Sequence, residues 1–174
     1  MNILFVGLGN MGLNMAKNLS KKSPHRVFGL DSNPKITSLL KSKQIPNVHP
    51  FVNIDQQKID FLITMLPDYK ILKTFYNSPE GPLNPNNINH YKKSNTLFID
   101  SSTIGPQNAL NLHKTFKSHG LDFVDAPVSG GKQGAIDASL TFMVGAKPEN
   151  FKRAEPILRY IGKDIKDCQG PSFG

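Results

Sequence analysis

Short apolar runs alternate with amphipathic stretches along the whole chain. Runs that are apolar on both faces are expected of strands buried in a parallel sheet, and the amphipathic stretches have the three- and four-residue spacing of helices. The predicted strands are Asn2–Val6, Arg26–Asp31, Asp60–Leu66, Thr96–Asp100, Leu121–Ala126, Leu140–Val144 and Asp164–Cys168. The predicted helices are Asn10–Lys22, Pro34–Ser42, Asp68–Asn77, Pro106–Ser118 and Pro148–Ile161.

This alternation predicts one α/β domain over residues 1–174. Its mostly parallel sheet is doubly wound, with right-handed crossovers and helices on both faces, and 174 residues are enough for one well-buried core. Residues 78–94 interrupt the pattern with three prolines and four asparagines. We expect this segment to be a surface excursion, and we assign it no function.

Charge, hydropathy and cysteine content indicate which kinds of partner and metal site to expect. Lysine and arginine outnumber aspartate and glutamate by 21 to 13, but only three of the cations are arginines and the lysines are scattered, so we do not expect nucleic-acid binding. No run of 18 apolar residues exists, so we expect no membrane span. Cys168 is the single cysteine and has no Cys/His cluster beside it, which predicts a reducing compartment and no metal site.

The first predicted strand leads into a glycine-rich turn. The turn consists of Gly7, Leu8, Gly9, Asn10, Met11 and Gly12, and Asp31 ends the second strand 19 residues later. Strand, GxGxxG, helix and distant acid together form a dinucleotide fingerprint. In it, Gly7 permits the tight turn, Gly9 lets the pyrophosphate approach the backbone, and Gly12 lets the helix pack closely on the sheet.

Asp31 bears on which nicotinamide cofactor is bound. Its carboxylate would accept hydrogen bonds from the ribose hydroxyls and repel a 2′-phosphate, which favours NAD over NADP. Lys35 lies one helical turn away and could partly neutralise that repulsion, so NADP stays open.

Four segments, in order, carry a more specific pattern than the fingerprint alone. They are FVGLGNMGLNMAKNL at 5–19, TMLP at 64–67, DSSTIGP at 100–106, and DAPVSGG at 125–131 with LTFMVG at 140–145. Together they resemble the β-hydroxyacid dehydrogenase family, in particular its 3-hydroxyisobutyrate dehydrogenases. Ala138 departs from the pattern, because the family usually has glycine before the LTFMVG strand.

The resemblance implies a Rossmann domain with the nicotinamide near Leu66, Pro67 and Thr103. It places the substrate carboxylate near Ser129, Gly130 and Gly131, although a plain reverse turn is the alternative for that segment. The implied reaction is NAD-dependent oxidation of 3-hydroxyisobutyrate to methylmalonate semialdehyde, a step of valine degradation.

The family's catalytic base is a lysine in a Gly-x-Gly-x-x-x-Lys motif at the start of an interdomain helix. Aligning Cys168 with the family's cysteine makes Gly174 the second glycine of that motif, so the lysine falls four residues beyond Gly174. We therefore expect no catalytic residue within these 174 residues and no activity from them alone. The family's C-terminal helical domain is expected to be absent here, and homo-oligomers are expected only with it.

Two other functions stay open. One is a non-catalytic nucleotide-binding module or a protein or chromatin interaction module, for which the positive charge predicts salt-dependent binding. The other is a dehydrogenase of a related β-hydroxyacid such as tartronate semialdehyde. Met1 runs straight into the first strand, so we expect a mitochondrial location if a presequence precedes this sequence and a cytoplasmic one otherwise.

Overall fold

The computed structural model describes residues 1–53 and 58–174. Its strands are β1 (Asn2–Val6), β2 (Arg26–Leu30), β3 (Val48–Pro50), β4 (Phe61–Thr64), β5 (Leu97–Asp100), β6 (Asp122–Asp125), β7 (Val128–Ser129), β8 (Leu140–Val144) and β9 (Gly162–Asp167). Its helices are α1 (Gly12–Lys22), α2 (Pro34–Lys41), α3 (Tyr69–Tyr76), α4 (Ile88–Ser94), α5 (Pro106–Ser118), α6 (Gly131–Asp137) and α7 (Pro148–Leu158).

The first six strands form one parallel sheet in the order β3-β2-β1-β4-β5-β6. Strand order reverses between β1 and β4, which are neighbours although the chain passes through β2 and β3 between them. In such a sheet, ligands bind in the crevice at the carboxyl ends of the two strands at the reversal. The predicted doubly wound Rossmann fold is confirmed, and its topology locates the site beyond β1 and β4.

Each face of this sheet is covered by helices, as predicted. Alternate residues of β1 point to opposite sides: Ile3 and Phe5 belong to one buried apolar cluster, and Leu4 and Val6 belong to another. The first cluster includes apolar residues of α1, α2 and α7, and the second includes those of α3, α4 and α5. Burial on both sides explains why the interior positions of β1, β2, β4, β5 and β6 are apolar.

The last three strands do not join the six-stranded sheet, which the sequence did not predict. They form a separate sheet in the order β7-β8-β9, with β7 antiparallel and β9 parallel to β8. The bridge between Asp125 and Gly145 connects the end of β6 to the end of β8. The second sheet therefore lies beside the carboxyl end of β6.

Four elements are absent from the sequence-based prediction: β3, α4, β7 and α6. The first three are short, and α6 has glycine at two of its seven positions, so neither propensity nor periodicity marks them. The segment 78–94 was predicted as a surface excursion, but it contains α4 and a fully buried Tyr91. That prediction was wrong. The proline and asparagine content is typical of a loop, but part of the segment packs on the sheet.

Within residues 1–53 and 58–174, no helix has both the length and the apolar character needed to cross a bilayer. The same residues contain no group of three or more His, Cys, Asp or Glu side chains placed to hold a metal ion.

Candidate functional site

The glycine turn after β1 is shaped by two glycines and left open by a third. Gly7 has a φ of +88°, and a Cβ on it would lie 2.3 Å from the backbone oxygen of Met65. A Cβ on Gly12 would lie 1.8 Å from the backbone oxygen of Gly7. A Cβ on Gly9, by contrast, would meet nothing within 4 Å. Gly7 and Gly12 are thus required by the packing of the turn, whereas Gly9 faces space into which a ligand could fit.

The N-terminus of α1 opens onto this space. Met11, at the N-cap, makes no capping side-chain hydrogen bond, and the first turn contains no acidic residue. Gly9, Asn10, Met11 and Gly12 line a cavity of about 330 Å³. Uncapped N–H groups and the positive end of the helix dipole favour an anionic ligand such as a pyrophosphate.

Asp31 joins the end of β2 to the glycine turn. Its carboxylate accepts hydrogen bonds from the backbone N–H of Leu8 (2.6 Å) and of Asn33 (2.7 Å). A carboxylate has about four acceptor positions, so further hydrogen bonds can be accepted from a ribose. Asp31 also lines a second, larger cavity of about 690 Å³, here called the Asp31 groove.

The Asp31 groove is acidic although the protein is basic overall. Its lining includes three carboxylates, those of Asp31, Asp68 and Glu80, and one ammonium group, that of Lys70. Lys35, which the sequence offered as a neutralising partner for Asp31, is not among the residues that line it. The local charge therefore disfavours an additional phosphate in this groove.

Leu66 and Pro67 follow β4 and face the glycine turn across the crevice. Both residues line the 330 Å³ cavity together with Gly9. The backbone N–H of Leu66 donates to the hydroxyl of Ser102, which is buried after β5. Sequence reasoning named Leu66 and Pro67 but missed Ser102, which holds the two loops together.

Thr103 lies in a neighbouring cavity of about 260 Å³. Asp125, Val128 and Gly174 line the same cavity. The structure thus brings together the predicted cofactor residues of the first and second segments, and it places Thr103 next to them through its neighbour Ser102.

A buried polar network supports the floor beneath these loops. Asp100 accepts hydrogen bonds from the hydroxyl of Thr64 (2.8 Å) and the backbone N–H of Ser102 (3.1 Å). Because Thr64 uses its proton on Asp100, the Tyr76 hydroxyl donates to Thr64 across 3.2 Å. Burial raises the pKa of Asp100 to about 6, against the opposing effect of these hydrogen bonds. Burial also raises the pKa of Tyr76, and the nearby Asp100 adds to that rise.

Asp125, at the end of β6, holds the last residues of the chain. Its carboxylate pairs with His113 of α5 and accepts backbone hydrogen bonds from Ser172 and Gly174, both at 2.8 Å. A Cβ on Gly145 would lie 2.5 Å from this carboxylate, so only glycine fits beside it. No spacing in the sequence marks His113 as the partner of Asp125, because the two residues pair only once α5 packs on β6.

Ser129, Gly130 and Gly131 do not form the plain reverse turn that the sequence left open. Ser129 ends β7, Gly130 has a φ of +124°, and Gly131 begins α6. Among the described residues lining the Thr103 cavity, these three are not included, although the preceding Val128 is. Their contact with a substrate stays a prediction.

Helix α6 packs against α1, which places it beside the glycine turn. The side chain of Asn18 donates to the backbone oxygens of Ala135 (2.8 Å) and Ile136 (2.9 Å). Lys132, in the first turn of α6, lines a 460 Å³ cavity with Gly9. The segment predicted to bind the substrate is therefore attached to the helix predicted to bind the cofactor.

Comparison with known proteins agrees with this geometry. Residues 2–170 match the family described as the NAD binding domain of 6-phosphogluconate dehydrogenase. The mitochondrial 3-hydroxyisobutyrate dehydrogenase of Drosophila melanogaster is 39% identical over 167 residues, which are 96% of this chain and 48% of that protein. The 2-(hydroxymethyl)glutarate dehydrogenase of Eubacterium barkeri is 35% identical over 165 residues, which are 92% of this chain and 51% of that protein.

Among solved structures, the 3-hydroxyisobutyrate dehydrogenase of Mycobacterium tuberculosis, described with L-serine, superposes with a TM-score of 0.78 at 34% identity. The match covers 99% of this chain and 56% of that one. The chain thus spans about half the length of the relatives it matches. The predicted resemblance to the β-hydroxyacid dehydrogenases is confirmed, and the chain belongs to the family of the NAD binding domain of 6-phosphogluconate dehydrogenase.

Proposed function

We propose that this chain is the NAD-binding domain of a dehydrogenase that oxidises a small 3-hydroxy acid, with 3-hydroxyisobutyrate as its substrate. The open space at Gly9, in front of the uncapped N-terminus of α1, is the observation that carries the proposal. It lies at the reversal of strand order, where open α/β sheets bind their ligands.

In this proposal the pyrophosphate of NAD binds at Gly9–Gly12 and the adenosine ribose binds at Asp31. The acidic lining of the Asp31 groove supports NAD over NADP, because the 2′-phosphate would add negative charge beside existing carboxylates. The nicotinamide lies toward Leu66, Pro67 and Thr103. When bound, NAD supplies the acceptor for the hydride that leaves the alcohol carbon.

The names of the relatives support a hydroxy acid as the substrate class, since one is a 3-hydroxyisobutyrate and another a 2-(hydroxymethyl)glutarate dehydrogenase. In both names the reacting group is a primary alcohol near a carboxylate. Ser129, Gly130 and Gly131 would bind that carboxylate through a hydroxyl and backbone N–H groups. The proton acceptor is the lysine expected four residues beyond Gly174, so the 174-residue chain alone should bind cofactor without turnover.

Cofactor binding can be measured directly by the change in NADH fluorescence, because the reduced nicotinamide ring is itself fluorescent. We expect NADH to bind to the chain, and we expect NAD to displace it at a lower concentration than NADP does. The variant Gly9→Val fills the open space and should lose binding while its thermal unfolding stays unchanged, because a Cβ there meets no atom of the protein. NADH binding by Gly9→Val at wild-type affinity would contradict the proposed site.

The proposed dehydrogenase activity is tested on the natural protein, isolated from its source by an NAD-affinity step. Its intact mass shows whether the functional chain is larger than 19.2 kDa. We expect a larger protein that reduces NAD with 3-hydroxyisobutyrate, and less well with 2-(hydroxymethyl)glutarate or with glycerate, the alcohol that corresponds to tartronate semialdehyde. Turnover by the 174-residue chain at the rate of the natural protein would refute the assignment of the base to a later lysine.

A further inference from the structure

The Asp31 groove extends well past Asp31 itself. One side is formed by the residues that follow β2, and the other by α3 and the segment after it, ending at Ser78 and Glu80. Its volume of about 690 Å³ falls within the range of small-molecule sites. The segment 78–94, for which the sequence offered no role, thus contributes part of the wall.

The lining has the chemistry of a site for a flat aromatic base. Leu30, Leu66, Ile71 and Phe75 provide apolar surface for the two faces of a ring. Away from Asp31 and Asp68, which lie next to the strand ends, the charged groups are Lys70 and Glu80. These two side chains are the candidates for reading the polar edge of the base.

Glu80 is held in place more firmly than a surface glutamate. It is half-buried, and its carboxylate accepts a hydrogen bond from the Ser78 hydroxyl at 3.2 Å. Its backbone oxygen accepts from the hydroxyl of the buried Tyr91 at 3.1 Å. The backbone on either side is fixed by the buried Asn87, whose amide donates to the oxygens of Pro79 (2.7 Å) and Gly81 (3.0 Å).

This anchoring leaves the Glu80 carboxylate able to accept further hydrogen bonds, since Ser78 occupies one of about four acceptor positions. A carboxylate can only accept, so it selects a base edge that donates. Adenine presents an exocyclic amine at C6, whereas hypoxanthine presents a carbonyl oxygen there, which a carboxylate placed at C6 would repel, and carries its donor at N1 instead. Lys70 can only donate and would favour hypoxanthine instead.

We propose that Glu80 recognises the C6 amine of adenine and makes this groove selective for adenine dinucleotides. The proposal rests on the proposed function, which places the adenosine half of NAD in the Asp31 groove. It adds a residue that determines specificity for the base, outside the GxGxxG fingerprint and its distal acid.

Binding of NAD and of nicotinamide hypoxanthine dinucleotide to the 174-residue chain tests this. The two ligands differ only at C6 and N1 of the base. We expect the wild-type chain to prefer NAD by about tenfold, the value of one hydrogen bond to a charged group at a half-exposed site. Glu80→Gln should bring the ratio close to one, because an amide can both donate and accept.

Two variants separate recognition from structure. Ser78→Ala removes the hydroxyl that positions the Glu80 carboxylate but keeps the charge, and it should weaken the preference for NAD less than Glu80→Gln does. Glu149→Gln removes an exposed carboxylate from α7 and should leave the ratio unchanged. An unaltered ratio in Glu80→Gln, or a wild-type chain that prefers hypoxanthine, would overturn the assignment while leaving NAD binding intact. Failure of the wild-type chain to bind either dinucleotide would overturn the proposed function as well.

Discussion

Replacing Asp100 with asparagine should change how the stability of the protein depends on pH. The carboxylate is fully buried at the end of β5, and its Oδ2 atom has no hydrogen-bond partner among the described residues. Asparagine has nearly the same shape, and its oxygen can still accept from Thr64 and from the N–H of Ser102. The substitution therefore removes the titration of this group while keeping its two hydrogen bonds.

The size of the effect follows from the pKa of Asp100. Burial raises it from 3.8 to about 6, so between these values the folded chain holds a proton that the unfolded chain has released. Stability falls with rising pH wherever the folded state binds more protons. At 1.36 kcal/mol per pH unit, the difference of about two units corresponds to about 3 kcal/mol. This stability is present below pH about 4 and is lost by the time the pH passes about 6.

Urea unfolding of the wild-type and Asp100→Asn chains between pH 3.5 and 7.5, at constant ionic strength, measures the effect. The wild-type free energy of unfolding, minus that of the variant, should fall by about 3 kcal/mol over this range. Asp164→Asn removes an exposed carboxylate from β9 and controls for the loss of one negative charge. A difference that does not change with pH would refute the reasoning. A difference that rises with pH would mean that the hydrogen bonds from Thr64 and Ser102 outweigh burial.

Three further outcomes are expected. Gly12→Ala should lower the free energy of unfolding by about 3 kcal/mol in urea, since the added Cβ would lie 1.8 Å from the Gly7 oxygen. Ala138→Gly should raise it by about 1 kcal/mol, because Ala138 has a φ of +54°, where an L-residue with a side chain is strained. Asp31→Asn should narrow the preference for NAD over NADP by about tenfold in competition with NADH, since it removes the charge that opposes a 2′-phosphate.

Most of the six-stranded sheet could be predicted from the sequence, because its strands are buried on both faces and their apolar runs therefore stand out. The glycine turn could also be predicted from the sequence. A strand, turn and helix at that spacing require the positive φ of Gly7 and the tight packing of Gly12. The buried strands and the glycine turn each depend on a pattern among residues close together in the chain, so both can be predicted from a single sequence.

Contacts between distant elements were not predictable in the same way. Two contacts join residues that are distant in the chain, and nothing in the local sequence indicates either of them. They are the ion pair of Asp125 with His113 and the hydrogen bond from Leu66 to Ser102. The fixed position of Glu80 could not be predicted for a related reason. Its segment reads as a loop by composition, and only the packing of Tyr91 on the sheet shows that the loop is fixed.

Helix α6 is an example of such a contact between distant elements, and it joins two candidate sites. The resemblance predicts a substrate-binding segment at Ser129–Gly131, and in the structure this segment runs from the end of β7 to the start of α6, which is fixed to α1 through Asn18. Since α1 begins at the glycine turn, the candidate substrate segment and the candidate pyrophosphate site are connected through two packed helices.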